Sequence, residues 1–290
     1  MKFELQCTAC IINQVSQISK IKNLNPEEKF TLLKKVLFAL EKENFNKTSP
    51  EIYGNVWKVV VDYFGGEDIY KAIRESYNKK FMSFTGVIEK AIKNSKNPLR
   101  TALAAAIEGN LLDLAIERVF SVEDLLDAID KIEHTAFALD DSKELLEKIK
   151  ASQTILYIGD NCGEIVFDRL FIETIKEYYP KVEIYYVVRG QSAVNDILLS
   201  DALQVGMDQV ATIVENGDSS LGTVLDRCSK ELNDIYKDAD IVIAKGQGNF
   251  ESLSETPRDN LFYLLLTKCK LIADAFNVDE MSIICAKAQL

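Results

Sequence analysis

Residues 153–173 read QTILYIGDNCGEIVFDRLFIE. Thr154 to Ile158 is an apolar, partly β-branched run of strand length, Gly159 interrupts it, and Phe167, Leu170, Phe171 and Ile175 then recur at helical spacing. The pattern predicts a strand, a tight turn and a helix. The turn holds Asp160, Asn161 and Glu164 with Gly163 among them. Hard oxygen ligands thus gather at the carboxyl end of a strand, where open α/β sheets bind their ligands.

Downstream, strand and helix patterns alternate. Strands are expected at Val182–Val188, Val210–Val214, Ile241–Ala244 and, more weakly, Leu271–Ala273, with helices at Glu164–Tyr179, Ala193–Leu203, Ser220–Tyr236 and Arg258–Lys268. Such alternation implies right-handed crossovers and a mostly parallel sheet covered on both faces. Residues 152–290 are therefore expected to form an α/β core, and residues 1–151, which read as helix after helix, a region that covers the active site.

Upstream, Asn25, Pro26 and Glu28 mark a capped start for a helix running to about Glu43, and Ser49 and Pro50 begin another that ends at Gly65 and Gly66. A long periodic segment follows from Asp68 to about Asn94, with Gly86 as its expected interruption. Pro98 restarts a helix in which Gly109 and Asn110 stand out. A mid-helix glycine costs about 1 kcal/mol against alanine, so Gly109 signals either a close approach of backbone or ligand, or a loop between two helices. Ser121 with Asp124 caps a further short helix, Asp140–Ala151 supplies the last before the sheet, and the lone His134 reads as a surface residue.

Composition narrows the function. The chain has 290 residues, 47% of them apolar, which is enough for a substantial core. A net charge of −11 argues against a nucleic-acid binder, which needs a basic face. The first ten residues lack the apolar core of a signal peptide and no membrane-length apolar run occurs, so the expected location is cytoplasmic, with no membrane association. The 6 cysteines then read as reduced thiols, with Cys7 and Cys10 the only spaced pair, placed inside a helix expected from Phe3 to Ile21.

Four loops are expected at the carboxyl edge of the sheet. The first brings Asp160, Asn161 and Glu164; the second Arg189, Asn195 and Asp196, with Asp201 further on; the third Glu215, Asn216, Asp218 and Ser219; the fourth Lys245, Gly246, Gly248 and Asn249. A glycine-rich turn beside a lysine makes an anion site. It is no Walker loop, and GxGxxG is absent after the first strand, which disfavours nucleoside triphosphates and NAD. Asp160, Asn161 and Asp196 could together hold a hard divalent cation such as Mg²⁺ or Mn²⁺. Each acid could equally cap a helix; their coincidence on successive strand ends favours the site.

The segments GDNCGEIVFD (159–168), NDILLSDA (195–202) and KGQGNFESL (245–253), with EDIYKAIRESYNKK (67–80) and RTALAAAIEGNLLD (100–113), resemble the damage-control, or ARMT-like, metal-dependent phosphatases. The resemblance implies a Rossmann-like α/β/α core beneath an all-helical N-terminal region. It also implies hydrolysis of small phosphorylated metabolites with a divalent metal, Mg, Mn, Ni or Co. By it, Asp160, Asn161 and Asp196 bind metal, Lys245 contacts phosphate, and Arg100, Asn110 and Asn78 lie near the substrate; from the loops themselves Asn195, Gly246, Gly248 and Asn249 are further expected substrate contacts. Cys7 and Cys10 look like the CxxC of its prokaryotic branch, and Cys162 departs from the small residue expected there, leaving redox sensitivity open.

The reading is a phosphomonoester hydrolase in which Asp160 or Glu164 aligns the water or acts as base and Lys245 takes up charge. An S-adenosylmethionine-dependent methyltransferase and a non-catalytic phosphometabolite-binding protein are the alternatives. The acid-rich first turn suits a cation better than a nucleoside. Substrate identity, oligomeric state and the role of Cys7 and Cys10 stay open at this level.

Overall fold

The computed structural model describes residues 1–114 and 136–289, apart from the side chains of residues 110–114. The Asn110 side chain, the expected cap at Ser121 and Asp124, and His134 lie outside the described residues. Six helices come first: α1 (Cys7–Ile21), α2 (Pro26–Glu41), α3 (Ser49–Tyr63), α4 (Lys71–Met82), α5 (Thr85–Asn94) and α6 (Pro98–Leu114). Then follow β1 (Leu139–Asp140), α7 (Ser142–Ala151), β2 (Thr154–Ile158), α8 (Glu164–Tyr178), β3 (Glu183–Val188), α9 (Leu199–Gln204), β4 (Thr212–Glu215), α10 (Lys230–Asp238), β5 (Ile241–Lys245), α11 (Gly246–Leu253), β6 (Leu261–Leu266), α12 (Lys270–Phe276) and β7 (Ile283–Lys287). Among these residues no helix is long and apolar enough to cross a membrane.

The seven strands lie in the order β1-β7-β6-β5-β2-β3-β4, giving the mixed, mostly parallel α/β sheet expected. From β2 the chain winds outward through β3 and β4, then crosses back so that β5 pairs with the other edge of β2. The carboxyl ends of β2 and β5 therefore flank the switch point of the sheet, the crevice in which such folds hold ligands. β7 runs antiparallel to β6, and the short β1 pairs parallel to β7.

Strand alternation sorts the core into two layers. Ile155, Tyr157, Ile184, Tyr186, Ile241 and Ile243 join the layer formed with α5, α6 and α8, while Leu156, Ile158, Val187, Val242 and Ala244 join the opposite one. A third cluster fills the space among α1, α2 and α3. The period of two is what sends Lys245, two residues beyond Ile243, toward α6 and α8.

Several boundaries differ from expectation for physical reasons. Asn25 caps α2 with a full capping box to Glu28, as its sequence implies. The long segment after Asp68 breaks at Ser83 and Phe84 rather than Gly86, and α1 starts at Cys7 rather than Phe3. Asp140 belongs to a strand, and 193–198 is a loop with a turn at Val194 and Asn195 where a helix was expected. Arg258–Lys268, read as helix, holds β6, whose six residues are all buried; a run apolar on both faces has no periodicity to separate strand from helix. Leu271–Ala273, read as a strand, lies in α12, and β7 went unread.

Gly109 sits within α6, and the close-approach reading is the one the structure adopts. A Cβ there would stand 2.5 Å from Phe167 Cδ2 and 3.4 Å from Glu164 Cγ. The Phe167 ring cannot retreat, since it is buried and meets Phe81 edge-on at 5.5 Å. Alanine would gain about 1 kcal/mol in helix propensity but would force overpacking worth about 1–3 kcal/mol. Gly109→Ala is thus expected to lower stability in urea unfolding, by up to about 2 kcal/mol; increased stability would show that the α6–α8 contact yields.

Candidate active site

At the end of β2 the chain turns through Gly159 to Gly163, and α8 begins at Glu164. Gly163 has φ +84°, its N–H donates to Asn78 Oδ1 at 2.8 Å, and a Cβ there would strike the Phe81 ring at 2.9 Å, so a glycine is required. The loop after β3 folds back on this turn: Ile197 N–H donates to the Asp160 carbonyl at 3.1 Å, Cys162 N–H to the Asn195 carbonyl at 3.0 Å, and Asn161 and Asp196 form an isolated antiparallel bridge. Asp160, Asn161 and Asp196 are thus brought together, with the Asn195 backbone beside them. Asn161 Nδ2 reaches Asp160 Oδ2 at 2.7 Å and Glu164 Oε2 at 3.4 Å.

Loss of solvation, then the carboxylates of Asp196 and Glu164, push the Asp160 pKa well above the ordinary range, against the pull of Lys268 and Arg189. Burial likewise raises Asp196, although Arg189 Nε donates to its Oδ2 at 2.7 Å. Arg189 is itself buried and also donates to Thr223 Oγ1 at 3.3 Å and Asn249 Oδ1 at 3.4 Å.

Lys245 ends β5 with its ammonium fully buried. It pairs with Glu164 Oε1, with Asp168 Oδ1 at 2.6 Å, and donates to the Ala106 carbonyl of α6 at 2.8 Å. All three donors are used, so here Lys245 is the counter-ion of two acids, not the open phosphate anchor the sequence suggested. Burial pulls against its charge, yet Asp168 and Glu164 keep its pKa raised. Asp168, which sequence reading passed over, also accepts from Tyr157 Oη at 2.7 Å and Tyr186 Oη at 2.9 Å. Burial pushes Asp168 up to about 6, with Lys245 opposing. Its signal was present: Asp168 is four residues after Glu164, on the same face of α8.

The glycine-rich segment expected as a loop is the start of α11. Gly246 has φ +75°, and a Cβ on it would collide with the Asp160 carboxylate. Gly248 packs against the Leu221 carbonyl. The amide of Asn249 is buried and committed, donating to the Gly159 carbonyl at 3.1 Å and the Lys245 carbonyl at 2.7 Å while accepting from Thr223 at 2.8 Å. Asn78, besides holding Gly163, donates to Gln204 Oε1 at 2.9 Å. Both asparagines brace the site.

Arg100 is not brought to it. It pairs with Asp140 at 3.2 Å and stacks 3.6 Å over Phe137, nine residues and about 13 Å of helix before Gly109. Cys162 is buried, and its thiol is pushed well up by burial and then by Asp201. Cys7 is half-buried at the first turn of α1 and Cys10 is exposed, so the pair is not a buried packing element.

A divalent cation fits the charge of the site. Four carboxylates, Asp160, Glu164, Asp168 and Asp196, face the buried cations Lys245 and Arg189, with Lys268 also acting on Asp160, which leaves a net acidic excess. Among the described residues no three His, Cys, Asp or Glu side chains converge as a metal centre. The expected set, two carboxylates and the Asn161 amide, falls below that number.

Sheet order, switch point and acidic turn together define a known class: the chain belongs to the damage-control phosphatase ARMT1-like domain family, which matches residues 4–284. Membership supports a phosphatase role in metabolite repair. Among individual relatives, the chain is 29% identical over 288 residues to a damage-control phosphatase of Pyrococcus horikoshii, covering 99% of this chain and 98% of that one. It is 31% identical over 293 residues to an uncharacterized protein of Methanocaldococcus jannaschii, covering 96% and 93%. A damage-control phosphatase of Archaeoglobus fulgidus is 25% identical over 283 residues, covering 96% of each. The crystal structure of a DUF89 family protein from P. horikoshii superposes with a TM-score of 0.92 at 29% identity, covering 100% of both chains.

Removing Lys245 strands two buried acids. Lys245→Met is expected to cost about 3–5 kcal/mol at pH 8. Burial already holds the Asp168 pKa above its unfolded value, and losing the ammonium that opposes burial raises it further, so the penalty is complete above that folded-state pKa and relieved as the acid protonates. The gap from wild type should shrink in unfolding experiments moved from pH 8 to pH 5. A gap that grows toward acid would refute the pairing.

Proposed function

We propose that this protein is a divalent-metal-dependent phosphomonoesterase acting on small phosphorylated metabolites. The observation that carries the reading is the acidic excess at the switch point, beside the N-terminus of α11. Asp160, Asn161 and Asp196 would hold the cation, whether Mg, Mn, Ni or Co. When bound, it supplies polarisation of a phosphoryl oxygen and a lower pKa for a ligated water.

The chain's own groups then divide the work. Gly246 and the first amides of α11 bind the phosphate, since a helix N-terminus presents N–H groups and a positive dipole end to an anion. This recasts the expected glycine-loop anion site as a helix start. Glu164 has one oxygen on Lys245 and the other toward Asn161, which suits it to orient the attacking water and accept its proton. Arg189 fixes Asp196, and Asn249 ties α11 to the β2 turn. Asn195, whose carbonyl accepts from Cys162 at 3.0 Å, is the further substrate contact of this reading. The P. horikoshii and A. fulgidus relatives, both named damage-control phosphatases, support the phosphatase part of this reading.

The test is phosphate release from p-nitrophenyl phosphate and a panel of sugar phosphates with Mg²⁺, Mn²⁺, Co²⁺ or Ni²⁺, against an EDTA control. Wild type should turn over only with metal. Asp160→Asn, with its fold checked by circular dichroism, should lose about a hundredfold or more of the rate and bind Mn²⁺ more weakly, as removal of one charged ligand leaves an open site. Metal-independent release, or full activity in Asp160→Asn, would overturn the assignment.

A further inference from the structure

Asp168 belongs to neither the ligand set nor the anion site, yet buried hydrogen bonds from three elements converge on it. Tyr157 from β2 and Lys245 from β5 donate to Oδ1 at 2.7 and 2.6 Å, and Tyr186 from β3 donates to Oδ2 at 2.9 Å. All four side chains are fully buried. Replacing such a polar group by apolar residues of similar volume is often neutral or stabilising. Stability is therefore a poor account of why a carboxylate, an ammonium and two phenols occupy the centre of an apolar layer.

Geometry supplies a better one. An ammonium has three donors in a fixed tetrahedral relation on a flexible four-carbon stem. With one donor on Asp168 and one on the Ala106 carbonyl, the third can point only at Glu164 Oε1. That pairing leaves Oε2 as the Glu164 oxygen turned toward Asn161, at 3.4 Å from its Nδ2. The two tyrosines fix the Asp168 carboxylate in turn, and their rings stack at 5.4 Å.

We propose that Asp168 is a positioning residue of the reaction: held by Tyr157 and Tyr186, it orients Lys245, and Lys245 aims Glu164 Oε2 at the reacting water. It touches neither substrate nor metal. The inference rests on the reading of Glu164 given under Proposed function and adds the device that sets its direction.

The experiment compares wild type, Asp168→Asn and Tyr186→Phe. kcat and KM are measured with p-nitrophenyl phosphate and Mn²⁺, and Mn²⁺ affinity by electron paramagnetic resonance. A misaimed catalytic group costs rate rather than binding, so Asp168→Asn should lower kcat about tenfold to a hundredfold with KM and Mn²⁺ affinity within about threefold of wild type. Tyr186→Phe, which removes one hydroxyl and keeps the ring, should show the same split at smaller size. An unchanged kcat in folded Asp168→Asn overturns the inference, as does a kcat loss matched by an equal loss of Mn²⁺ affinity. If Asp168→Asn does not fold, an unchanged kcat in Tyr186→Phe overturns it. Wild type inactive with every metal and phosphomonoester sinks the phosphatase reading and this inference together, whereas active wild type with unaffected variants sinks only the inference.

Discussion

One ammonium surrounded by two carboxylates and a helix carbonyl holds this molecule together where it matters. Lys245 brings β5, α8 and α6 to a single buried point. Taking these charges out of water costs several kcal/mol per ion, and only complete pairing returns it. The surrounding structure is accordingly demanding. β5 must lie beside β2, α8 must begin one residue after Gly163, and α6 must press close enough for its backbone to serve as acceptor, which Gly109 permits.

The helical region performs a second task, gripping the loop that carries Asp196. Arg74 of α4 bonds Asp201 at 2.8 Å, Asp68 and the Val194 carbonyl at 3.3 Å. Trp57 of α3 donates to the Ser192 carbonyl at 2.8 Å, and Ser192 Oγ to Asp68 at 2.8 Å. Val194 lies at φ +50°, an uncommon conformation for a β-branched residue, sustained because both flanks are pinned. The region thus acts on the site by bracing its loop.

The corrections share a cause. Lys245 and the glycines after it read as an anion-binding loop because a lysine beside glycines is ambiguous until the strand's register says which face the side chain takes. Arg100 read as a substrate contact because proximity in a motif does not reveal which end of a seventeen-residue helix faces the site. Asp168 went unnoticed because its partners lie 11, 18 and 77 residues away.

Local chemistry alone settled a good deal: the turn from Gly159 to Glu164 announced itself by residue type, the α2 cap by Asn25, Pro26 and Glu28, and the parallel α/β class by the alternation of short apolar runs with amphipathic segments. These signals are written within a few residues of one another, where backbone sterics and periodicity act. Tertiary structure alone decided the sheet order, the strand identity of Leu261–Leu266, the non-helical course of 193–198 and the pairing of Lys245. Each depends on burial from both sides or on contacts across tens of residues, and such contacts exist only once the layers have closed.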